Sequence, residues 1–148
     1  MTTWRKEAFE RLPEMRKQLQ QEKGMYCFFS ELVDFLKKAY EEEDYDLEKR
    51  IYQYAFHLCS LKRGSSAQND VPTAITLGFF EHLPESKITR RNVGRWMTKK
   101  EIEGMKDTFL YHGTEKQYLE MLESVDTHKK HRVQPVGAGQ PDNPPLKS

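Results

Sequence analysis

Apolar side chains recur at three- and four-residue intervals in two consecutive stretches between residues 25 and 61, and this restricts the fold more than any other feature of the chain. The first stretch runs from Met25 to Glu43 and carries Phe28, Leu32, Leu36, Ala39 and Tyr40. The second carries Leu47, Ile51, Tyr54, Ala55, Leu58 and Cys59 and reaches Leu61. At 3.6 residues per turn each set forms one stripe, so each stretch is an amphipathic helix with a face to bury. A short acidic turn around Asp44 separates them, which makes the pair a helical hairpin. Nowhere do apolar and polar residues alternate with period two over the length of a strand. The expected class is all-α: a single-domain antiparallel helical bundle, or a short α-solenoid-like array, of about six or seven helices.

The rest of the chain fits that class. Residues 4–21 are rich in Glu, Arg, Lys and Gln, but Pro13 interrupts them and Gly24 closes the segment, so two short helical pieces or one kinked helix are expected. Gly64, Ser65 and Ser66 mark residues 62–68 as a loop. Asn69 or Asp70 then caps a helix that tolerates Pro72 in its first turn, carries Val71, Ala74, Ile75, Gly78, Phe79 and Leu83, and ends near Pro84. Shorter helices are expected over residues 86–97, 98–111 and 114–125. Thr98 with Glu101, and Thr114 with Gln117, have the spacing of capping boxes, and Gly113 supplies a stop between the last two helices. From Asp126 onward four prolines, two glycines and few apolar residues leave little to offset the entropy of ordering. The expected organisation is a helical domain over residues 1–125 and a disordered tail over 126–148.

A chain of 148 residues can bury one core without disulfide staples. Lys and Arg number 24 against 23 Asp and Glu, so no net field draws the molecule toward nucleic acid or an anionic membrane, and electrostatic recognition has to be local. Cys27 and Cys59 lie in apolar helical stretches with no Cys-x-x-Cys pair, which makes them small core residues in expectation. The first ten residues have no apolar signal region and no apolar run approaches the length of a membrane span, so the chain is expected in the cytoplasm and off the membrane.

A Walker loop, Gly-x-Gly-x-x-Gly, His-Glu-x-x-His and Gly-x-Ser-x-Gly are all absent, so the commonest enzyme templates are excluded and neither catalytic residues nor a cofactor are assigned. His57 and His82, with Glu81 beside the latter, come nearest to a metal pair. On antiparallel helices joined through residues 62–69 they stand roughly 18 Å apart at 1.5 Å per residue, too far to share an ion. His128 and His131 fall at the start of the tail, without rigid support. No metal site is expected.

Two charged runs remain. Glu41, Glu42, Glu43, Asp44, Asp46 and Glu48 form an acidic run suited to docking a basic protein, with Tyr45 and Tyr52 as aromatic anchors and Tyr26 a further exposed ring. Asp46 and Glu48 also suit the positive end of a helix dipole, so local stability accounts for part of the run. Lys87, Arg90, Arg91, Arg95, Lys99 and Lys100 surround Trp96, combining charge with a stacking ring as nucleic-acid binders do. Up-down topology offers a competing account, preferred here, in which the basic segment lies beside the acidic turn and the two neutralise each other.

Residues 26–84 resemble a family of small uncharacterised bacterial helical domains, some of which look like immunity proteins of polymorphic-toxin systems. The resemblance rests on the two amphipathic helices around Phe28 to Tyr40 and Leu47 to Cys59, and on Asn69-Asp70-Val71 opening a helix that ends Phe79-Phe80-Glu81-His82-Leu83. It implies a non-catalytic protein that binds a cognate toxin stoichiometrically and occludes it. The rival from another class is a nucleic-acid-associated regulator using residues 87–100.

Overall fold

In the computed structural model, which describes residues 2–128, Pro13 splits the N-terminal segment because it has no N–H to give and its ring obstructs the preceding turn. Helix α1 spans Thr3–Arg11, a 3-10 turn takes Pro13–Met15, and α2 spans Arg16–Gln20. The amphipathic pair follows as α3 (Met25–Glu42) and α4 (Tyr45–Cys59). Phe28, Leu32, Leu36, Ala39 and Tyr40 of α3 are all buried, as are Leu47, Ile51, Tyr54, Ala55 and Leu58 of α4. The tight turn between the helices has two causes. Glu43 adopts the left-handed conformation (φ 55°, ψ 37°), which lets the Asp44 amide donate back to the Ala39 carbonyl at 2.9 Å. The Asp44 carboxylate then accepts from the Leu47 amide at 3.2 Å and caps α4. From α4, Arg50 donates to the Arg11 carbonyl at 2.9 Å and to Glu14 at 2.8 Å, tying the Pro13 break to the hairpin.

Helix α5 covers Val71–Gly78, and the chain continues to Pro84 not as α-helix but as a 3-10 segment, Phe80–Glu85. The proline is the reason: in an α-helix its ring would collide with the Phe80 carbonyl. The Ser86 hydroxyl caps α6 (Lys87–Asn92), and Val93–Arg95 tighten into a further 3-10 turn where an unbroken helix to Met97 was expected. Residues 98–111 likewise divide, into α7 (Lys99–Gly104) and α8 (Lys106–His112), at a glycine that costs a helix interior about 1 kcal/mol relative to alanine. Helix α9 spans Glu115–Thr127. Both capping boxes form. The Thr98 hydroxyl accepts from the Glu101 amide at 3.0 Å while Glu101 accepts from the Thr98 amide at 2.8 Å, and Thr114 and Gln117 do the same at 3.1 and 3.0 Å. Among the described residues nine α-helices stand where about six or seven were expected, since Pro13 and Gly104 each make two of one.

The described helices form a bundle around one core. Helix α3 packs on α4, α5 and α6, α1 packs on α4, and α9 lies across α6 and the turn 93–95. A solenoid, in which each unit touches only its neighbours, would lack these crossings. The rings of Trp4, Phe28, Phe29 and Tyr54 meet with centroids 5.5 to 6.5 Å apart, mostly edge to face. Gly94 permits the close seat of α9, because a Cβ there would lie 2.3 Å from the Val125 nitrogen, and its own amide donates to the buried Ser124 hydroxyl at 2.8 Å. Helix α9 passes the expected boundary at residue 125, and His128 after it is buried, its Nε2–H donating to the Arg91 carbonyl at 2.9 Å. The tail expected beyond that point lies outside the described residues. Among them, no helix is long and apolar enough to cross a membrane.

Candidate functional site

The last turn of α3 and the first turn of α4 carry the acidic run into solvent. Glu41, Glu42, Glu43 and Asp46 are exposed, and among the described residues no ion pair holds the three glutamates. Asp46 meets Arg50 at 2.8 Å, and Asp44 is half-buried as the cap of α4. Tyr45 stands in their midst, 49 % exposed, with the Arg95 guanidinium 4.5 Å from its ring centre. Arg95 cannot swing away freely, since it donates to Glu48 at 2.6 Å and to Asn92 at 3.1 Å. The ring is thus open to water on one side and stacked on a fixed cation on the other.

Two residues grouped with this run lie elsewhere. Tyr52, taken from the sequence as an anchor, is fully buried. Its hydroxyl bonds that of Tyr40 at 2.6 Å, its ring meets Phe79 edge to face, and burial pushes its phenol pKa up. Glu48 is 0 % exposed. One of its oxygens accepts from Arg95 at 2.6 Å and from the Trp96 indole N–H at 2.8 Å. Burial raises its carboxyl pKa, and the bonds from Trp96 and Arg95 offset this only in part. Position on the helix explains both corrections: Tyr45, Glu48 and Tyr52 follow one another at intervals of three and four along one face of α4, which is open at Tyr45 and covered further on by Arg95 and Trp96 at Glu48 and by Tyr40 and Phe79 at Tyr52.

The basic segment is partly spent inside the fold, through Arg90, Arg95 and Trp96. Trp96 is 3 % exposed and offers no ring to a base, and Arg95 serves Glu48 and Tyr45. Arg90 pairs with Glu120 on α9 and donates to the Pro84 carbonyl at 2.7 Å. Lys87, Arg91, Lys99 and Lys100 stay exposed. Acidic and basic runs do meet as the topology suggests, through the Glu48 carboxylate and the Tyr45 ring, while among the described residues no ion pair joins the basic segment to Glu41, Glu42, Glu43, Asp44 or Asp46. The indole of Trp96 was the available signal, because a buried Trp N–H needs an acceptor.

His57 stands 3.3 Å from Glu7, on a different helix from His82. His82 stacks on His112, with ring centres 5.1 Å apart and planes at 17°, and its Nδ1 lies 2.7 Å from Glu85. His112 in turn meets the buried Glu81 at 3.1 Å. Thirty residues of separation hid this pair from sequence reasoning. Among the described residues no group of three or more His, Cys, Asp or Glu could hold a metal ion. Cys27, expected in the core, is exposed on the first turn of α3, beside a cleft of about 390 Å³ lined by Trp4, Tyr26, Ala67 and Gln68. It falls one position short of the stripe that begins at Phe28. Cys59 is half-buried, and burial pushes its thiol pKa up.

No curated protein and no solved structure matches the chain. Residues 5–101, from α1 into the first turn of α7 and including Glu48, Arg95 and Trp96, match a domain of unknown function, DUF7674, and over that two-thirds of its length the chain belongs to this family.

Proposed function

We propose that the chain is a non-catalytic protein-binding module that docks a basic partner on the acidic turn, with Tyr45 as its anchor. The observation that carries this reading is the stacking of Arg95 on Tyr45. It presents an aromatic ring to solvent in a fixed pose, so little side-chain entropy is left to lose on binding. Glu41, Glu42, Glu43 and Asp46 surround that ring with negative charge, which steers the encounter and rejects acidic partners. The finer reading is an immunity-type protein that neutralises a cognate toxin in the bacterial cytoplasm. The resemblance of residues 26–84 to such domains supports it.

The experiment is affinity capture with the full chain, then surface plasmon resonance of the captured protein against Tyr45→Ala and against Glu41→Lys/Glu42→Lys/Glu43→Lys. Asp44 is left in place because it caps α4. Removing the anchor should speed dissociation about tenfold or more, as interfacial aromatics do. The charge reversal should slow association at low salt and matter less at physiological salt, where the Debye length is about 8 Å. Unchanged kinetics in both variants, or no captured protein, overturns the reading. The toxin reading further requires that the captured protein arrest growth when expressed without the chain.

A further inference from the structure

Arg5 on α1 is a half-buried cation that no carboxylate meets among the described residues. Its guanidinium donates to the Leu19 carbonyl at 2.6 Å and to the Lys23 carbonyl at 2.7 Å, and it lies 4.7 Å from the ring centre of Trp4. Carbonyl dipoles at the end of α2 and the face of an indole attract a cation without cancelling its charge. Lys23, by contrast, meets Glu31 at 3.3 Å. The two carbonyls use two of the five N–H groups that a guanidinium carries, so Arg5 is held in place with donors to spare.

Arg5 also forms part of the wall of a cleft of about 710 Å³, a volume within the range of small-molecule sites. Phe9, one turn further along α1 and half-buried, and the buried Leu19 of α2 give that wall its apolar part. The break at Pro13 brings the two helices together, since it ends α1 and lets α2 pack back on it. Glu22 follows α2 in the left-handed conformation (φ 55°), which L side chains seldom adopt, and the chain turns there to bring the Lys23 carbonyl to Arg5. Gln20 and Glu22, both exposed, complete the rim.

We propose that this cleft binds an aliphatic monocarboxylate, the chemistry of a medium-chain fatty acid, with the carboxylate on Arg5 and the chain along Phe9 and Leu19. A planar guanidinium already fixed by other bonds matches a carboxylate and loses little freedom in pairing with it. The apolar wall favours a ligand with a chain over an inorganic anion, because each methylene laid on it leaves water. Glu22 repels a second negative charge, so a monoanion fits where a dicarboxylate or a phosphate does not.

The test is isothermal titration calorimetry of the full chain at neutral pH with octanoate, hexanoate, octan-1-ol and octanedioate. Octanoate should bind one to one with a Kd below about 1 mM. Hexanoate, shorter by two methylenes, and octan-1-ol, without the charge, should each bind about tenfold or more weakly, and octanedioate should also bind less well than octanoate. Arg5→Ala should abolish binding, but it also removes the donors that hold the end of α2. Gln20→Glu carries the test without that risk: it adds a negative charge to the rim and should weaken octanoate about fivefold or more at an unchanged melting temperature. Lys38→Glu, exposed on α3, should leave the affinity as it was. The proposal is overturned by the absence of saturable octanoate binding up to about 1 mM, or by equal affinity for octan-1-ol. Octanoate binding that Gln20→Glu leaves untouched, or that Lys38→Glu weakens equally, overturns it too.

Discussion

Glu43 and Glu48 stand five residues apart in one acidic run, and their surroundings could hardly differ more. Glu43 ends α3 in water, with no ion pair among the described residues, while Glu48 is sealed between α4 and the turn 93–95. Burying a carboxylate is tolerable only where donors replace water, and here Arg95 and Trp96, 47 and 48 residues away, supply them. Such a pair adds little net stability relative to apolar residues of the same shape, yet losing one member leaves a buried charge or donor unmet. The two glutamates thus stand for two halves of one run: the outer carboxylates stay in water, and the inner one fixes Arg95, which in turn stacks on Tyr45.

The contrast is most severely tested by Glu48→Ala, which should destabilise the fold by about 3 to 5 kcal/mol in urea unfolding because the half-buried Arg95 guanidinium and the buried Trp96 indole N–H lose their shared acceptor. Glu48→Met/Arg95→Met should recover most of that loss, since an apolar pair needs no donors. A cost of Glu48→Ala below about 1 kcal/mol, the level of exposed ion pairs, would place Glu48 with the outer glutamates and erase the difference. Leu32→Ala and Ile51→Ala, both at fully buried positions on the central stripes, should each cost about 2 to 5 kcal/mol through the cavities left behind, and they calibrate how much the hairpin depends on packing alone.

Titration separates the two environments by sign. Burial raises the Glu48 pKa above its ordinary 4.5, so folding favours the protonated form. Its contribution is complete below the unfolded value and is lost as pH rises through the folded value. As pH rises from the ordinary carboxyl range through the folded value, the natural protein should therefore lose stability relative to Glu48→Gln. Glu14 runs the other way: hydrogen bonds from Arg50 hold its carboxyl below the ordinary range, so its contribution is present above the unfolded value and lost as pH falls through the folded one. Glu14→Gln should weaken the fold near neutrality and change little in strong acid. Parallel pH profiles for the two variants would contradict the assignment of environments.

The smallest effects belong to the outer run. Asp44→Ala should cost about 1 kcal/mol through loss of the α4 cap. Glu41→Lys/Glu42→Lys/Glu43→Lys should shift thermal stability by no more than about 0.5 kcal/mol, as exposed substitutions do. A larger shift would mean that these glutamates support the fold, and the docking surface would lose its claim to being free.

What the sequence discloses here follows the strength of local signals. The α3 and α4 stripes, the Pro13 break and both capping boxes depend on neighbours within one or two turns, and each is found where the spacing puts it. The ends of α5 and α6 were misplaced because Pro84 acts on the turn before it and Gly94 answers to α9, about 30 residues later. Of the acidic site, Glu41, Glu42, Glu43, Tyr45 and Asp46 are exposed as expected, since a turn between amphipathic helices projects into solvent. Tyr52 is buried where an exposed anchor was expected, and Trp96, a stacking ring only under the nucleic-acid alternative, is buried on Glu48, because aromaticity suggests a surface until the partner is known. Arg95 pairs within the acidic run, as the preferred reading has it, though with Glu48.

The meeting of Gly94 with α9 also gives the molecule a natural clock for its own local opening. The Gly94 amide is buried on the Ser124 hydroxyl and can exchange its hydrogen with solvent only when α9 lifts from the turn 93–95 or the whole domain unfolds. Amides at the centre of α3, such as that of Leu36, lie in the core hairpin and require the larger event. The ratio of the two exchange rates is therefore a direct reading of whether α9 forms one cooperative unit with the hairpin or opens as a separate one.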